Sequence, residues 1–281
     1  QQEGLQTIID MNLEPSLYNI SIFEKFHNLL KQKKSKQYPV HIKYNTGLNR
    51  VGFNPNQSTW ILEQLKEDEF DLKTVYSHLA TSEGSENKSN NSQQIEIFLA
   101  LKKQHEEDAN THPKFHLLNS SGIFKNSKYE FDAVRCGIAL HGFTNHPKID
   151  QKLKPLASLH SKISQIHKVK KGDYVGYDRG WKAPKDSAIA TLPIGHADGI
   201  GRHFGHGKGR VLINGASAPI VGNICMDMVM IDVSGISCKE EDTVIIFGSN
   251  HTASEFAISG GTISYEVLSG IGPRIKRFFH S

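Results

Sequence analysis

A tyrosine beside a glycine opens the segment 176–201, GYDRGWKAPKDSAIATLPIGHADGIG, and Tyr177 is the first candidate for a catalytic group. A phenol has an ordinary pKa near ~10, so it serves as a base near neutrality only where cationic neighbours stabilise its anion. Taken alone, Tyr177 is one of eight tyrosines, and the plainer reading as a strand-end residue is favoured. The cations it needs must be sought elsewhere in the chain.

Three are candidates. In Val40-His41-Ile42-Lys43-Tyr44-Asn45 the two-residue repeat of a strand puts His41, Lys43 and Asn45 on one face, and a lysine within a barrel strand needs a partner. TGLNRVG (46–52) follows at the carboxyl end of that strand, where such folds gather their active-site loops, and Arg50 there suits a carboxylate or a cofactor oxygen. Arg135 interrupts the apolar run Val134-Arg135-Cys136-Gly137-Ile138-Ala139-Leu140, so it meets a partner or a ligand, and Gly137 leaves room for a phosphate to approach the backbone. His78 ends a strand in YSHLAT (76–81), and HLLNSSG (116–122) ends another with small polar groups that form either a phosphate site or a plain helix cap. In Cys225-Met226-Asp227 the methionine reads as strand packing. The 15 histidines show no HxxxH or HxH spacing on a credible element, and Cys136, Cys225 and Cys238 stand far apart, so neither a metal site nor a disulfide framework is expected.

The elements that must position these residues fall into two kinds. A chain of 281 residues, 37% hydrophobic and 22% charged, is long enough for two domains with full cores. Its longest apolar runs are strand-length and its first residues carry no leader pattern, so no membrane span or secretory signal is expected and the location expected is cytoplasmic. A net charge of +4, with Lys31, Lys33, Lys34 and Lys36 at a helix end, argues against nucleic-acid binding. From 13 to 140 strands and helices alternate: strand 13–19, helix 21–34 with Ser21 as N-cap and Glu24 completing a capping box, strand 39–44, helix 59–66, strand 74–79, a polar mobile loop at 81–92, helix 93–107, and strands 114–118 and 133–138. This is the order of a (β/α)8 TIM barrel, of which residues 1–150 supply the C-terminal part. A closed barrel has eight strands, so three further units are expected upstream. An open doubly wound sheet would need a Gly-rich phosphate turn that is missing. Residues 151–281 read as an all-β domain carrying Tyr177, with strands at 154–168, 173–176, 188–193, 209–213, 218–221, 228–233 and 243–247, turns at Lys171-Gly172-Asp173 and Asn214-Gly215, a hairpin loop at 199–209, and closing helices at 253–259 and 264–268.

Across nearly the whole chain these motifs resemble the alanine racemase family. HIKYNTGLNRVGF (41–53), VYSHLATSE (75–83), VRCGIALHG (134–142), YDRGWKA (177–183), LPIGHADGIGR (192–202), VGNICMDMVMIDV (221–233) and ISYEVLSGIGPRIKR (263–277) look like that family's motifs in order and spacing. The resemblance implies a homodimer with shared active sites, using pyridoxal 5'-phosphate to interconvert L- and D-alanine for peptidoglycan precursors. It implies Tyr177, from the partner subunit, as the acid or base on one face of the substrate Cα. Arg135 faces the pyridine nitrogen, and Asn119, Ser120, Gly137, Ile138 and Tyr265 bind the cofactor around its phosphate. His78 links Tyr177 to Arg135, Arg50 and the Met226 backbone hold the substrate, and Lys43, often carbamylated in the family, positions Arg50. A guanidinium at the pyridine nitrogen keeps it unprotonated and suppresses decarboxylation and transamination.

His196, Asn45 and Trp181 replace common family residues, and the first two resemble racemase domains fused behind a Mur-type ligase. The family's KAxAYGHG motif, whose lysine forms the Schiff base and acts as the second base, has no match in the chain. An inactive fragment or cofactor-binding remnant is therefore one alternative. A decarboxylase of the same architecture is the other, although its HxGS strand end and GGG loop are missing.

Overall fold

The computed structural model describes residues 2–81, 88–108, 110–144 and 146–280. Contacts divide the chain into two units, Gln1–Ala139 and Leu140–Ser281.

In the first unit the elements run α1 (Gln2–Asp10), β1 (Ser16–Leu17), α2 (Ile20–Lys33), β2 (Tyr38–Lys43), α3 (Ser58–Gln64), β3 (Phe70–Tyr76), α4 (Lys88–Glu107), β4 (Lys114–Asn119), α5 (Ser120–Lys125) and β5 (Ala133–Arg135). The five strands are parallel and lie in sequence order, as in a barrel wall. Their helix-facing residues, among them Val40, Ile42, Leu72, Val75 and Leu117, pack with Phe23, Phe26, Leu30, Ile61 and Phe98 into one core. Strand β3 holds a bulge. Val40 pairs with Leu72 but His41 pairs with Thr74, leaving Lys73 without a partner on β2. The burial phase slips with it, since Phe70 and Leu72 are buried and then Val75, so Thr74 and Tyr76 share the face opposite the helices.

Several boundaries differ from the sequence expectation. Helix α2 is capped by Asn19, whose side chain accepts from Ile22 N–H, and not by Ser21 with Glu24. Asn19 is extended and two residues earlier, so the helix has already begun at Ile20. β1 is only two residues long, and β3 begins earlier and ends at Tyr76, which leaves His78 beyond the strand. Helix α4 starts at Lys88, inside the stretch expected as a loop; residues 82–87 of that stretch lie outside the described residues.

The second unit comprises α6 (Pro147–Asp150), β6 (Leu159–Lys162), β7 (Gln165–Val169), β8 (Tyr174–Val175), β9 (Trp181–Lys182), β10 (Ser187–Leu192), β11 (Arg210–Ile213), β12 (Ala216–Val221), β13 (Val229–Asp232), β14 (Thr243–Phe247), α7 (Ala253–Ser259) and α8 (Ser264–Ser269). Seven strands form an antiparallel sheet in the order β6-β14-β11-β12-β13-β10-β7. The single strand expected at 154–168 is two, because Ile163 N–H turns to Asp242 O and Ser164 N–H to Thr191 O. A link this short joins the sheet's two outermost strands, so the sheet curls on itself. Asn214 and Gly215, both at positive φ, make the expected two-residue turn between β11 and β12. The Gly-rich 199–209 stretch is not a hairpin, since β10 and β11 are not neighbours, and short helical turns at His196–Asp198 and Arg202–Phe204 occupy the link.

Asp198 fastens that link. It is fully buried, accepts from Gly195 N–H at 2.9 Å and meets both Nε and Nη2 of Arg274. The Arg274 hydrogen bonds hold the carboxyl below its usual range against the opposing effect of burial. A folded value below the unfolded one, near ~3.9, means that this stabilisation is complete at neutral pH and is lost as pH falls through the folded value. Arg274→Gln is therefore expected to lower the melting temperature at pH ~7, with the gap to the parent closing in acid. An equal gap at both pH values, read by thermal denaturation, would refute the linkage. Among the described residues no helix is long and apolar enough to cross a membrane.

Candidate active site

At the carboxyl ends of β2 to β5 the first unit gathers positive charge. Lys43 ends β2 and is buried, with Nζ 5.7 Å from the centre of the Tyr76 ring. Burial lowers its pKa, and Arg50 and Arg135 lower it further. The loop after β2 folds around Asn45, whose Oδ1 accepts from Gly47 N–H at 3.2 Å and Asn49 N–H at 2.8 Å, and it carries Arg50 outward as an exposed side chain.

Arg135 closes β5 and is largely withdrawn from solvent. Its Nη2 donates to Ser77 O at 2.7 Å and Leu117 O at 3.1 Å and lies 3.3 Å from His78 Nδ1, while Nη1 meets His116 Nδ1. The guanidinium also lies 5.1 Å from the centre of the Tyr76 ring. No carboxylate pairs with it among the described residues. Its histidine neighbours are held neutral. Burial first, and Arg135 second, push both His78 and His116 down to about 4. A cation held by carbonyls and neutral imidazoles keeps its charge for a ligand.

Ser120 lies at the start of α5, nearly fully buried, and its Oγ accepts from Gly137 N–H at 2.9 Å and Ala139 N–H at 3.3 Å. A Cβ added at Gly137 would meet nothing nearer than that Oγ at 3.9 Å, so there is open space beside converging amides. Ile138 follows, buried. Asn119 is turned to local use, capping α5 through Gly122 N–H at 2.9 Å. The first unit thus brings Lys43, His78, Ser120, Arg135, Gly137 and Ile138 to one end of the sheet, with Arg50 close enough to act electrostatically on Lys43 and His78.

The second unit presents Tyr177, Met226 and Tyr265. Tyr177 is 71% exposed and begins a tight turn, Tyr177–Arg179, in which Asp178 and Arg179 both have positive φ, 55° and 52°. Asn223 holds the turn, its Nδ2 donating to Tyr177 O at 3.0 Å while its Oδ1 lies 3.2 Å from Arg202 Nη2 and 3.1 Å from His206 Nε2. Met226 is exposed, and its carbonyl accepts from Ala197 N–H at 2.9 Å. This pairing needs Gly195, where a Cβ would come within 2.5 Å of Cys225 O and Met226 O. Tyr265 lies on α8, half-buried.

Sequence reasoning missed His116 and Tyr76, whose rings stack at 4.8 Å and 17° beside Arg135, and Gln94, whose Nε2 donates to His78 O at 3.1 Å and whose Oε1 accepts from Ala80 N–H at 2.8 Å. For His116 there was a signal, because the motif HLLNSSG begins with it.

The profile of the alanine racemase N-terminal domain matches residues 1–145, and that of the C-terminal domain matches 156–279. The chain is 36% identical to the alanine racemase of Rickettsia akari (strain Hartford), over 97% of this chain and 74% of that protein. It is 33% identical to the enzyme of Clostridium kluyveri, over 98% and 72%. Among solved structures, the alanine racemase of Clostridium difficile 630 superposes with a TM-score of 0.86 at 30% identity, covering 98% of this chain and 72% of that one. The enzyme of Bartonella henselae with covalently bound pyridoxal phosphate superposes with a TM-score of 0.86 at 30% identity, over 97% and 75%. The chain spans about three quarters of the length of these relatives, and it belongs to the alanine racemase family, a family of pyridoxal-phosphate enzymes.

Proposed function

We propose that this chain is the substrate- and cofactor-binding part of a cytoplasmic, homodimeric alanine racemase that interconverts L- and D-alanine. The observation that carries the reading is Arg135, a largely buried guanidinium among neutral histidines and carbonyls, with no carboxylate partner among the described residues. Pyridoxal phosphate, when bound, supplies an electron sink for the substrate α-carbon. The residues present suit its charged and polar ends, because amides of Gly137 and Ala139 converge beside open space and Arg135 offers an unneutralised charge.

In this reading residues 1–150 form the cofactor-binding barrel portion, and residues 151–281 the β-domain that carries Tyr177. Ser120, Gly137, Ile138 and Tyr265, with Asn119 alongside, hold the phosphate. Arg135 faces the pyridine nitrogen, and a group that never gives up its own proton leaves that nitrogen unprotonated. Arg50 takes the substrate carboxylate together with the Met226 backbone, and Lys43 positions Arg50. Tyr177 of the partner subunit gives or takes the α-proton on one face, connected to Arg135 through His78. The matching base on the other face, an amine that also captures the cofactor aldehyde, is absent from these 281 residues because no lysine here stands in a KAxAYGHG motif.

Incubation with pyridoxal phosphate, borohydride reduction and peptide mass spectrometry test this. The 281-residue chain is expected to show no site-specific labelled lysine and no D-alanine formation. The chain joined to an N-terminal segment carrying the lysine motif is expected to gain both. Specific labelling of a lysine within the chain would sink the missing-amine argument, and an extended protein that is labelled yet leaves alanine unchanged would sink the racemase reading.

A further inference from the structure

The face of β2, β3 and β4 opposite the helices carries a row of polar side chains that the proposed roles leave unused. It starts at Arg135. A guanidinium has only hydrogens to offer, so where Nη1 meets His116 Nδ1 the ring nitrogen must accept, and the neutral ring carries its hydrogen on Nε2. His116 Nε2 lies 3.1 Å from Thr74 Oγ1. The Thr74 hydroxyl lies 2.7 Å from His41 Nδ1, and His41 Nε2 lies 3.0 Å from Glu14 Oε2. At that far end a carboxylate can only accept. With a pure donor at one end, a pure acceptor at the other and each ring carrying a single hydrogen, every hydrogen between them is assigned. Arg135 donates to His116, His116 to Thr74, Thr74 to His41, and His41 to Glu14.

Two features show that the row is built. The bulge at Lys73 brings Thr74 opposite His41; without the slip His41 would face Lys73. Tyr76, two residues on, stacks on the His116 ring and sets its plane. The charged groups bearing on the row are Arg135 and Lys43 at one end, both near the Tyr76 ring, at 5.1 Å and 5.7 Å from its centre, and Glu14 and Lys73 at the other end.

We propose that Glu14, His41, Thr74 and His116 form one directed hydrogen-bond chain that positions Arg135 while keeping its counter-charge remote at Glu14. The inference rests on the reading in which Arg135 faces the cofactor ring. A carboxylate in direct contact would neutralise the guanidinium; a carboxylate acting through three intervening side chains fixes its direction without doing so. His116 and Thr74 are thus positioning residues.

Nitrogen NMR of the 15N-histidine-labelled chain tests the arrangement. In the parent at neutral pH, His116 and His41 are each expected as a single neutral tautomer with the hydrogen on Nε2. Thr74→Val breaks the row at its middle, and His41 is then expected to average between tautomers, with Thr74→Ser restoring it. Hydrogen on Nδ1 of His116, a doubly protonated His41 in the parent, or an unchanged His41 in Thr74→Val overturns the chain. In the extended protein of the preceding subsection, Thr74→Val is expected to lower kcat about 10–100-fold with KM and melting temperature little changed, and Thr74→Ser to recover it. An NMR response with unchanged kcat overturns the positioning role. Loss of alanine racemisation in the extended parent itself, with the tautomers as described, marks failure of the functional reading and leaves the hydrogen-bond row standing.

Discussion

Tyr177→Phe is expected to lower alanine racemisation in the extended protein by about 10²–10⁴-fold, the range of a lost general acid or base. The effect should come without unfolding. The side chain is 71% exposed, and the turn beneath it is held through its backbone carbonyl, Asn223 Nδ2 and Gly180 N–H both donating to Tyr177 O at 3.0 Å. Two bases on opposite faces of the α-carbon divide the labour by enantiomer. Deuterium exchange at Cα, followed separately for L- and D-alanine, is therefore expected to fail for one enantiomer and to persist for the other. Equal residual exchange from both would remove Tyr177 from its proposed role.

Arg135→Leu is expected to affect both stability and activity. It leaves the carbonyls of Ser77 and Leu117 and the Nδ1 of His116 without their donor, at a cost of about 3 kcal/mol in unfolding free energy. It also removes the second-largest cause, after burial, of the lowered values of His78 and His116. The sign follows from linkage. Both folded values, about 4, lie below the unfolded histidine value of ~6.5, so the unfolded chain binds more protons in between. Their contribution is complete above ~6.5 and drains away as pH falls toward about 4. With both values rising in the variant, stability should fall less steeply across that window. Denaturant unfolding at several pH values measures it, and an unchanged slope would show that Arg135 does not set the two histidines.

Much of this was legible in the sequence because single residues violated their surroundings. Arg135 in an apolar run and Lys43 in a strand both announced partners or ligands, and the alternation of strand and helix gave the order of the five parallel strands. What stayed hidden depends on contacts between distant segments. The slip at Lys73 reverses the in-out phase of β3 halfway along, so a constant two-residue repeat places either Leu72 or Val75 wrongly, and His116 acquires its meaning only beside Thr74 and Arg135. Asn19 displaced Ser21 as the cap because the choice between two polar residues on either side of Ile20 is made by where the chain enters the helix. Gln94 and Asn223 are ordinary amides in sequence, and each becomes a fastener through a partner at least 14 residues away.

The turn after Tyr177 sets the terms on which this protein can vary. Asp178 and Arg179 sit side by side in the left-handed region, which side chains occupy at a cost of about 1–3 kcal/mol each. Glycine at either position would relieve that cost and would also loosen the turn that aims the phenol. Selection for robustness and selection for turnover therefore point in opposite directions at these two codons. With Tyr177 in its proposed role, a lineage that drifts toward glycine there is expected to gain a sturdier fold and a slower enzyme.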